Sequence, residues 1–164
     1  MIPVNLLNDL VEFLKGINKD YRLLDEKVKD NPLIIVPGWL KQKERANEIQ
    51  YPHIVPRFLG SEDGADGVSR ANLRIYYGTY CEDVDKGGLE LFNLLEHNRQ
   101  ALLKTRTIAN KHRLDLPVKV VIPEEQPYPE WVGYIDVQYI IGQPLEEVFP
   151  KEKNIDYLWE KDVR

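Results

Sequence analysis

Apolar residues follow two different periods along this chain, and the change of period marks out its elements. Leu6, Leu7, Leu10, Val11 and Leu14 fall at i, i+1, i+4, i+5 and i+8, the spacing that lines one side of a helix. Asn5 is placed to cap that helix and Gly16 to end it. The charge-rich stretch from Asp20 to Asp30 holds leucines only at Leu23 and Leu24, and reads as a helix extension or a surface excursion. A short apolar run, Leu33 to Val36, stops at the turn pair Pro37-Gly38, and a polar crossing follows from Lys41 to Gln50.

The period then drops to two. Tyr51 to Leu59 has the β-branched and aromatic content of a strand, and Pro52 and Pro56 assign it to an edge, because proline cannot donate to a ladder. Ser61 to Gly67 reads as a flexible acidic loop. From Ser69 to Cys81, Ala71, Leu73, Ile75, Tyr77 and Thr79 share one face and Arg70, Asn72, Arg74 and Tyr76 the other, as in a half-buried antiparallel strand. Asp85-Lys-Gly-Gly88 breaks the chain before a long helix from about Leu89 to Arg106. Its stripe is Leu91, Leu94, Leu95, Ala101, Leu102 and Leu103, interrupted by Asn98. A strand from Leu116 to Ile122 and another from Trp131 to Ile141 follow, the second with Ile135, Val137, Tyr139 and Ile141 on one face.

Between those two strands lies Pro123-Glu-Glu-Gln-Pro-Tyr-Pro-Glu-Trp131. Three prolines exclude a helix or a central strand, so this is a stiff, acidic connection of the kind that often binds a partner. After Gly142 the composition turns charged, with apolar anchors at Val148, Phe149, Tyr157, Leu158 and Trp159. The expected organisation is one α+β domain over residues 1–142 and a charged tail over 143–164. Its order is α-β-β-α-β-β, a single antiparallel sheet of about four strands with two helices on one face. The expected core is Leu73, Ile75, Tyr77, Leu95, Leu102, Val120, Ile135 and Val137.

At 164 residues, 43% hydrophobic and 30% charged, the composition is that of an ordinary globular domain. A net charge of −5 argues against a dedicated nucleic-acid binder. No apolar run approaches the roughly 20 residues of a membrane span. The first residues show neither a basic region nor a small-residue cleavage site, which argues against secretion. One cysteine, Cys81, allows no internal disulfide and fits a reducing cytoplasm.

Known catalytic motifs are missing: there is no glycine-rich phosphate loop, no H-E-x-x-H and no G-x-S-x-G. His53, His97 and His112 stand apart, without metal-ligand spacing, and are expected to be surface or hydrogen-bonded residues. Asp83-Val-Asp85-Lys-Gly87 opens like a calcium loop, but Leu94 stands where the last carboxylate belongs. No catalytic residue, metal or cofactor is therefore expected. The basic run of Arg99, Lys104, Arg106, Lys111 and Arg113 lacks interleaved aromatics, so head-to-tail contact with acidic loops of an identical copy is a better fit than nucleic acid. The expected assembly surface is Glu124, Glu125, Tyr128, Glu130, Trp131, Arg99, Arg106 and Arg113.

Four features together resemble one family: Tyr51-Pro-His-Ile-Val-Pro-Arg57, Arg74-Ile-Tyr-Tyr-Gly-Thr-Tyr80, the helix led by Gly87-Gly88, and Leu114-Asp-Leu-Pro117 running into the proline-rich phrase. That family is the small structural proteins of tail-terminator or tail-completion type, from long-tailed phages and prophages of Gram-positive bacteria. The resemblance covers about residues 33–142. It implies a homo-oligomeric ring, commonly a hexamer, that caps the tail tube at the head–tail junction of the virion after assembly in the host cytoplasm. Its implied partners are further copies of itself, the tail-tube protein and head–tail connector proteins. DNA would pass through the lumen without sequence-specific binding, and no membrane is involved. The alternatives are another neck component such as a head-closure or connector protein, a nuclease or hydrolase for which Asp115 with Lys119 is the nearest approach, and a nucleic-acid-binding adaptor.

Overall fold

The structure, a computed structural model, describes residues 2–147, so the tail anchors from Val148 onward lie outside the described residues. Among the described residues the fold is α+β, with two helices and one six-stranded sheet. Helix α1 spans Ile2–Ile17 and buries Leu6, Leu10, Val11 and Leu14, as the spacing requires. Asn5 lies inside its first turns, and Gly16 lies within it as well. The helix ends instead at Asn18, whose backbone and side-chain N–H groups both reach the Leu14 carbonyl, at 3.2 and 2.8 Å. Residues 20–30 form bends and turns with no helix, and Leu23 and Val28 are buried beside Tyr80 while Leu24 stays exposed.

Strand β1, Ile34–Ile35, runs parallel to the start of β2, His53–Asp63, so the sheet is mixed and not purely antiparallel. Because β1 reaches only His53 and Ile54, most of β2 is an edge, as Pro56 within it requires. The stretch expected as a loop at Ser61 to Asp63 is strand, paired with Ala71, Arg70 and Ser69 of β3, Ser69–Tyr80. Those paired residues are polar or small, so no apolar alternation announces them. The turn is confined to Gly64–Val68, with Gly67 at φ 79°.

Helix α2, Val84–Lys104, begins well before Leu89, with Asp83 as its N-cap accepting from the Asp85 N–H at 2.9 Å. The two glycines that look like a break lie in its first turns. A Cβ on Gly87 would overlap the Trp131 indole, so this glycine is there for a close approach of helix to sheet. Two-residue β4, Thr107–Ile108, is too short to register in sequence; it turns through Ala109 and Asn110, both at positive φ, into β5, His112–Val121. Strand β5 thus starts four residues before Leu116, and β6, Glu130–Ile141, completes the order β1-β2-β3-β6-β5-β4. The element order is α-β-β-β-α-β-β-β, with six strands in place of four.

Both helices pack on the face carrying Leu73, Ile75, Tyr77, Ile135, Val137 and Tyr139. Of the expected core, Val120 alone is half-buried, packed against the cluster's margin. Helix α1 touches β1 and β2 at one edge of the sheet and β4 at the other, so the sheet curls around it. Asn98, the break in the α2 stripe, exchanges hydrogen bonds with Asn18 at 2.8 and 3.0 Å while also holding the Leu94 carbonyl. A buried amide pair with its polar groups matched locks one helix to the other.

Candidate functional site

Two surfaces stand out, and they face different directions. The first is the hairpin between β5 and β6. Its internal frame is Gln126, whose side-chain N–H₂ donates to the Pro123 and Val132 carbonyls at 2.7 and 2.9 Å and whose oxygen accepts from the Val132 N–H at 2.6 Å. Tyr128 donates to the Glu82 carbonyl at 2.8 Å, and the Trp131 indole N–H donates to the Cys81 carbonyl at 3.0 Å. Trp131 is therefore a half-buried anchor under α2, whereas Tyr128 is 55% exposed. Glu124 and Glu125 are exposed and take no cation within salt-bridge distance among the described residues. Glu130, opposite Tyr80 in register, sits beside Tyr51; burial first, and this carboxylate second, push the Tyr51 hydroxyl's pKa well up.

The basic residues do not gather into one patch. Arg99 is bound to Glu96 at 2.8 and 2.6 Å on the solvent side of α2, and Arg99 with Gln100 draws the Glu96 carboxyl down to about 2. Arg106 is half-buried and directed at the Leu114 carbonyl, 3.3 Å away. Arg113, between the buried His112 and Leu114, points to the opposite side of the sheet. The acidic loops separate too. Asp63 pairs near the Ser69 end of β3, while Glu130 pairs with Tyr80 at the other end, so the Glu62–Asp66 and Glu124–Glu130 segments occupy opposite ends of the sheet.

The second surface is the sheet face that no helix covers. Here the Arg57 guanidinium lies between the rings of Trp39, at 4.8 Å, and Tyr76, at 4.5 Å, while its Nε donates to the Gly38 carbonyl at 2.8 Å. Tyr76 meets Tyr134 at 6.0 Å, and Arg74 stacks on Tyr134 at 3.9 Å while gripping both oxygens of Asp136 at 2.7 and 3.1 Å. Farther along, Arg70 donates to Asp115 at 2.8 Å and holds that carboxyl below the usual carboxylate range. Bulges at Phe58/Gly60 in β2 and Asp115/Lys119 in β5 flank an open cleft of about 420 Å³. Its floor includes Arg74, Asp136, Asn72 and Gln138, and Leu59 and Pro117 rise beside it.

By register, Arg57, Arg70, Arg74, Arg113 and Lys119 face outward here against Glu62, Asp115, Asp136 and, at the hairpin end, Glu130. Five cations against four carboxylates leave this strand face with a slight positive excess on a chain of net charge −5, and Asp66 from the adjoining turn also bridges Arg70 at 3.6 Å. Arg70 and Arg74 are paired, whereas Arg57, Arg113 and Lys119 have no carboxylate partner among the described residues. Sequence reading missed this surface although it placed Arg70, Asn72, Arg74 and Tyr76 together. The available signal was residue type: arginine and tyrosine, in place of lysine and glutamate, are what interface cores favour.

The remaining candidates are absorbed by the fold. His53 bonds the Gln50 carbonyl at 2.9 Å, His97 the Ile17 carbonyl at 2.7 Å and His112 the Asp9 carboxylate at 2.9 Å. Cys81 is buried, and burial first, with Glu90, Asp25 and Asp83 adding, raises its thiol pKa, which disfavours a nucleophilic thiolate. Asp83 and Asp85, whose spacing only begins like a calcium loop, form the cap and first turn of α2. Asp115 and Lys119 are separated by the β5 bulge, and Asp115 is spoken for by Arg70. Among the described residues no group of three or more His, Cys, Asp or Glu side chains is placed to hold a metal ion, and no helix is long and apolar enough to cross a membrane. No protein-family model matches the sequence, and no curated protein matches it either.

Proposed function

We propose that this protein is a virion structural component of the tail-terminator type, forming a ring that caps the tail tube and contributes to head–tail joining. The observation that carries the reading is the division of charge on one protomer. A rigid acidic hairpin projects from one end of the sheet, and a net-positive, arginine- and tyrosine-rich sheet face looks elsewhere. Complementary surfaces facing different directions produce a heterologous contact, which closes into a ring when the rotation between copies permits. The resemblance of the chain's sequence phrases to terminator-type proteins supports assigning such a ring to a virion. Such a role needs surfaces and no active site.

In this reading the chain's partners are its own copies, the tube protein and a connector protein, and DNA crosses an open lumen. Cations lining that passage would hold the phosphates, so the reading assigns Arg57, Arg74 and Lys119 to protein contacts away from the DNA path. The test is removal of the gene from its phage, followed by imaging of the lysate. Tails of irregular, excessive length beside unattached filled heads are the expected result. Tails of normal length with leaking heads would move the protein to the head side of the neck, and normal infectious particles would refute the structural role.

A further inference from the structure

Building on the ring reading, we infer that the uncovered sheet face is the seat for the acidic hairpin of the next copy, with Glu124 and Glu125 of one protomer paired to Arg57 and Lys119 of its neighbour. Three observations carry this. The first is charge: Glu124 and Glu125 on the hairpin and Arg57 and Lys119 on the face all lack an ion-pair partner among the described residues. On the face the unmatched cations Arg57, Arg113 and Lys119 outnumber the unmatched carboxylate Glu62, and they are opposite in sign to the hairpin's Glu124 and Glu125. An arginine held flat between two rings presents its terminal N–H groups to a carboxylate in a fixed plane, which suits a two-point pair.

The second is shape. The bulges of β2 and β5 make the face concave, with Lys119 and Leu59 on the lining and Leu59 52% exposed. The hairpin is a convex piece already frozen by the Gln126 bonds and by the Tyr128 and Trp131 anchors, so docking it orders little. The third is reach. Glu130 and Asp136 are six residues apart on β6, roughly 20 Å at strand rise, and the hairpin extends away from the cleft. The contact is therefore made between copies.

The same face could be imagined holding single-stranded nucleic acid, but most of its aromatic faces are engaged. Arg57 stacks on Trp39 and Tyr76, and Arg74 on Tyr134, so Trp39, 71% exposed, is the one broad ring left open among these three, where a strand-binding groove presents several in succession.

The experiment is a charge swap on full-length protein, followed by sedimentation velocity, with circular dichroism to confirm folding. Glu124→Arg/Glu125→Arg should reduce the ring to the 19.2 kDa monomer, and so should Arg57→Glu/Lys119→Glu. Combining all four substitutions in one chain restores opposite charges across the contact and should restore the ring. If Arg57→Glu unfolds the chain, Lys119→Glu/Arg113→Glu takes its place in the same design. Rings persisting in both double variants, or a quadruple variant that stays monomeric while folded, would overturn this interface and leave the ring reading standing. A wild type that remains monomeric would remove the ring reading itself. A monomer that binds labelled single-stranded DNA, with binding lost in Arg57→Glu/Lys119→Glu, would replace both with a nucleic-acid platform.

Discussion

The two faces of β3 and β6 are built from the same strands, residue by residue in alternation, yet they follow different rules. On the helix side Leu73, Ile75, Tyr77, Ile135, Val137 and Tyr139 are buried to within 2% of completely. On the other side Arg74, Tyr76, Tyr134 and Asp136 are half-exposed, tied to one another by stacking and ion pairing. The first face holds the domain together because apolar area leaves water there. The second gains little from its pairs in solvent and presents an ordered array of guanidinium and ring planes. Stability belongs to one side of the sheet, and the proposed contact between copies is assigned to the other.

The largest effects are expected on the helix side. Leu73→Ala and Leu95→Ala, which open space in the core cluster, should each cost about 2–5 kcal/mol in urea unfolding. Midpoints within error of wild type for both would mean that the helices do not cover this face as described. Next in size is Asn98→Ala. It strips Asn18 of its buried partner, and the unmatched amide should cost about 1–3 kcal/mol by the same measurement. The double variant Asn18→Ala/Asn98→Ala should cost less than the sum of the singles, since neither half is then left unpaired.

A polar group on the buried side gives a smaller, pH-dependent effect. The Glu90 carboxylate accepts from the Leu24 N–H at 2.9 Å, and burial, opposed by that bond and reinforced by Asp25, pushes its pKa above the usual value. A carboxyl raised on folding contributes fully below its unfolded pKa of about 4.5 and loses that contribution as pH rises through the folded value. Glu90→Gln cannot titrate and keeps the acceptor oxygen. Its melting temperature relative to wild type should therefore climb between about pH 4.5 and 7, and a pH-independent difference would contradict the assignment.

The smallest effect belongs to the open face. Arg74→Ala breaks a pair whose partners are each about a third exposed, and should cost no more than about 1 kcal/mol in the same unfolding assay. A cost matching Leu73→Ala would show that the outer face carries the fold as well.

How much of this could be read in the sequence follows the same division. Apolar period alone located α1, β3 and β6 and nearly all of the core, because burial on one side forces alternation. It failed where contacts are polar or short. The β2 extension through Ser61 to Asp63 pairs with polar and small residues, β1 and β4 have two residues each, and Gly87 imitates a helix break while serving the Trp131 contact. The proline hairpin was visible because its composition permits little else. Its counterpart was not, since Trp39, Arg57, Arg74 and Tyr134 come from four separate segments and meet only once the sheet has formed.

The ring itself is tested most directly by imaging purified full-length protein in negative stain and measuring its mass in solution. Annular particles with an open centre and a mass that is a whole-number multiple of 19.2 kDa are expected. A single 19.2 kDa species at the highest attainable concentration, with no annuli on the grid, would contradict the ring.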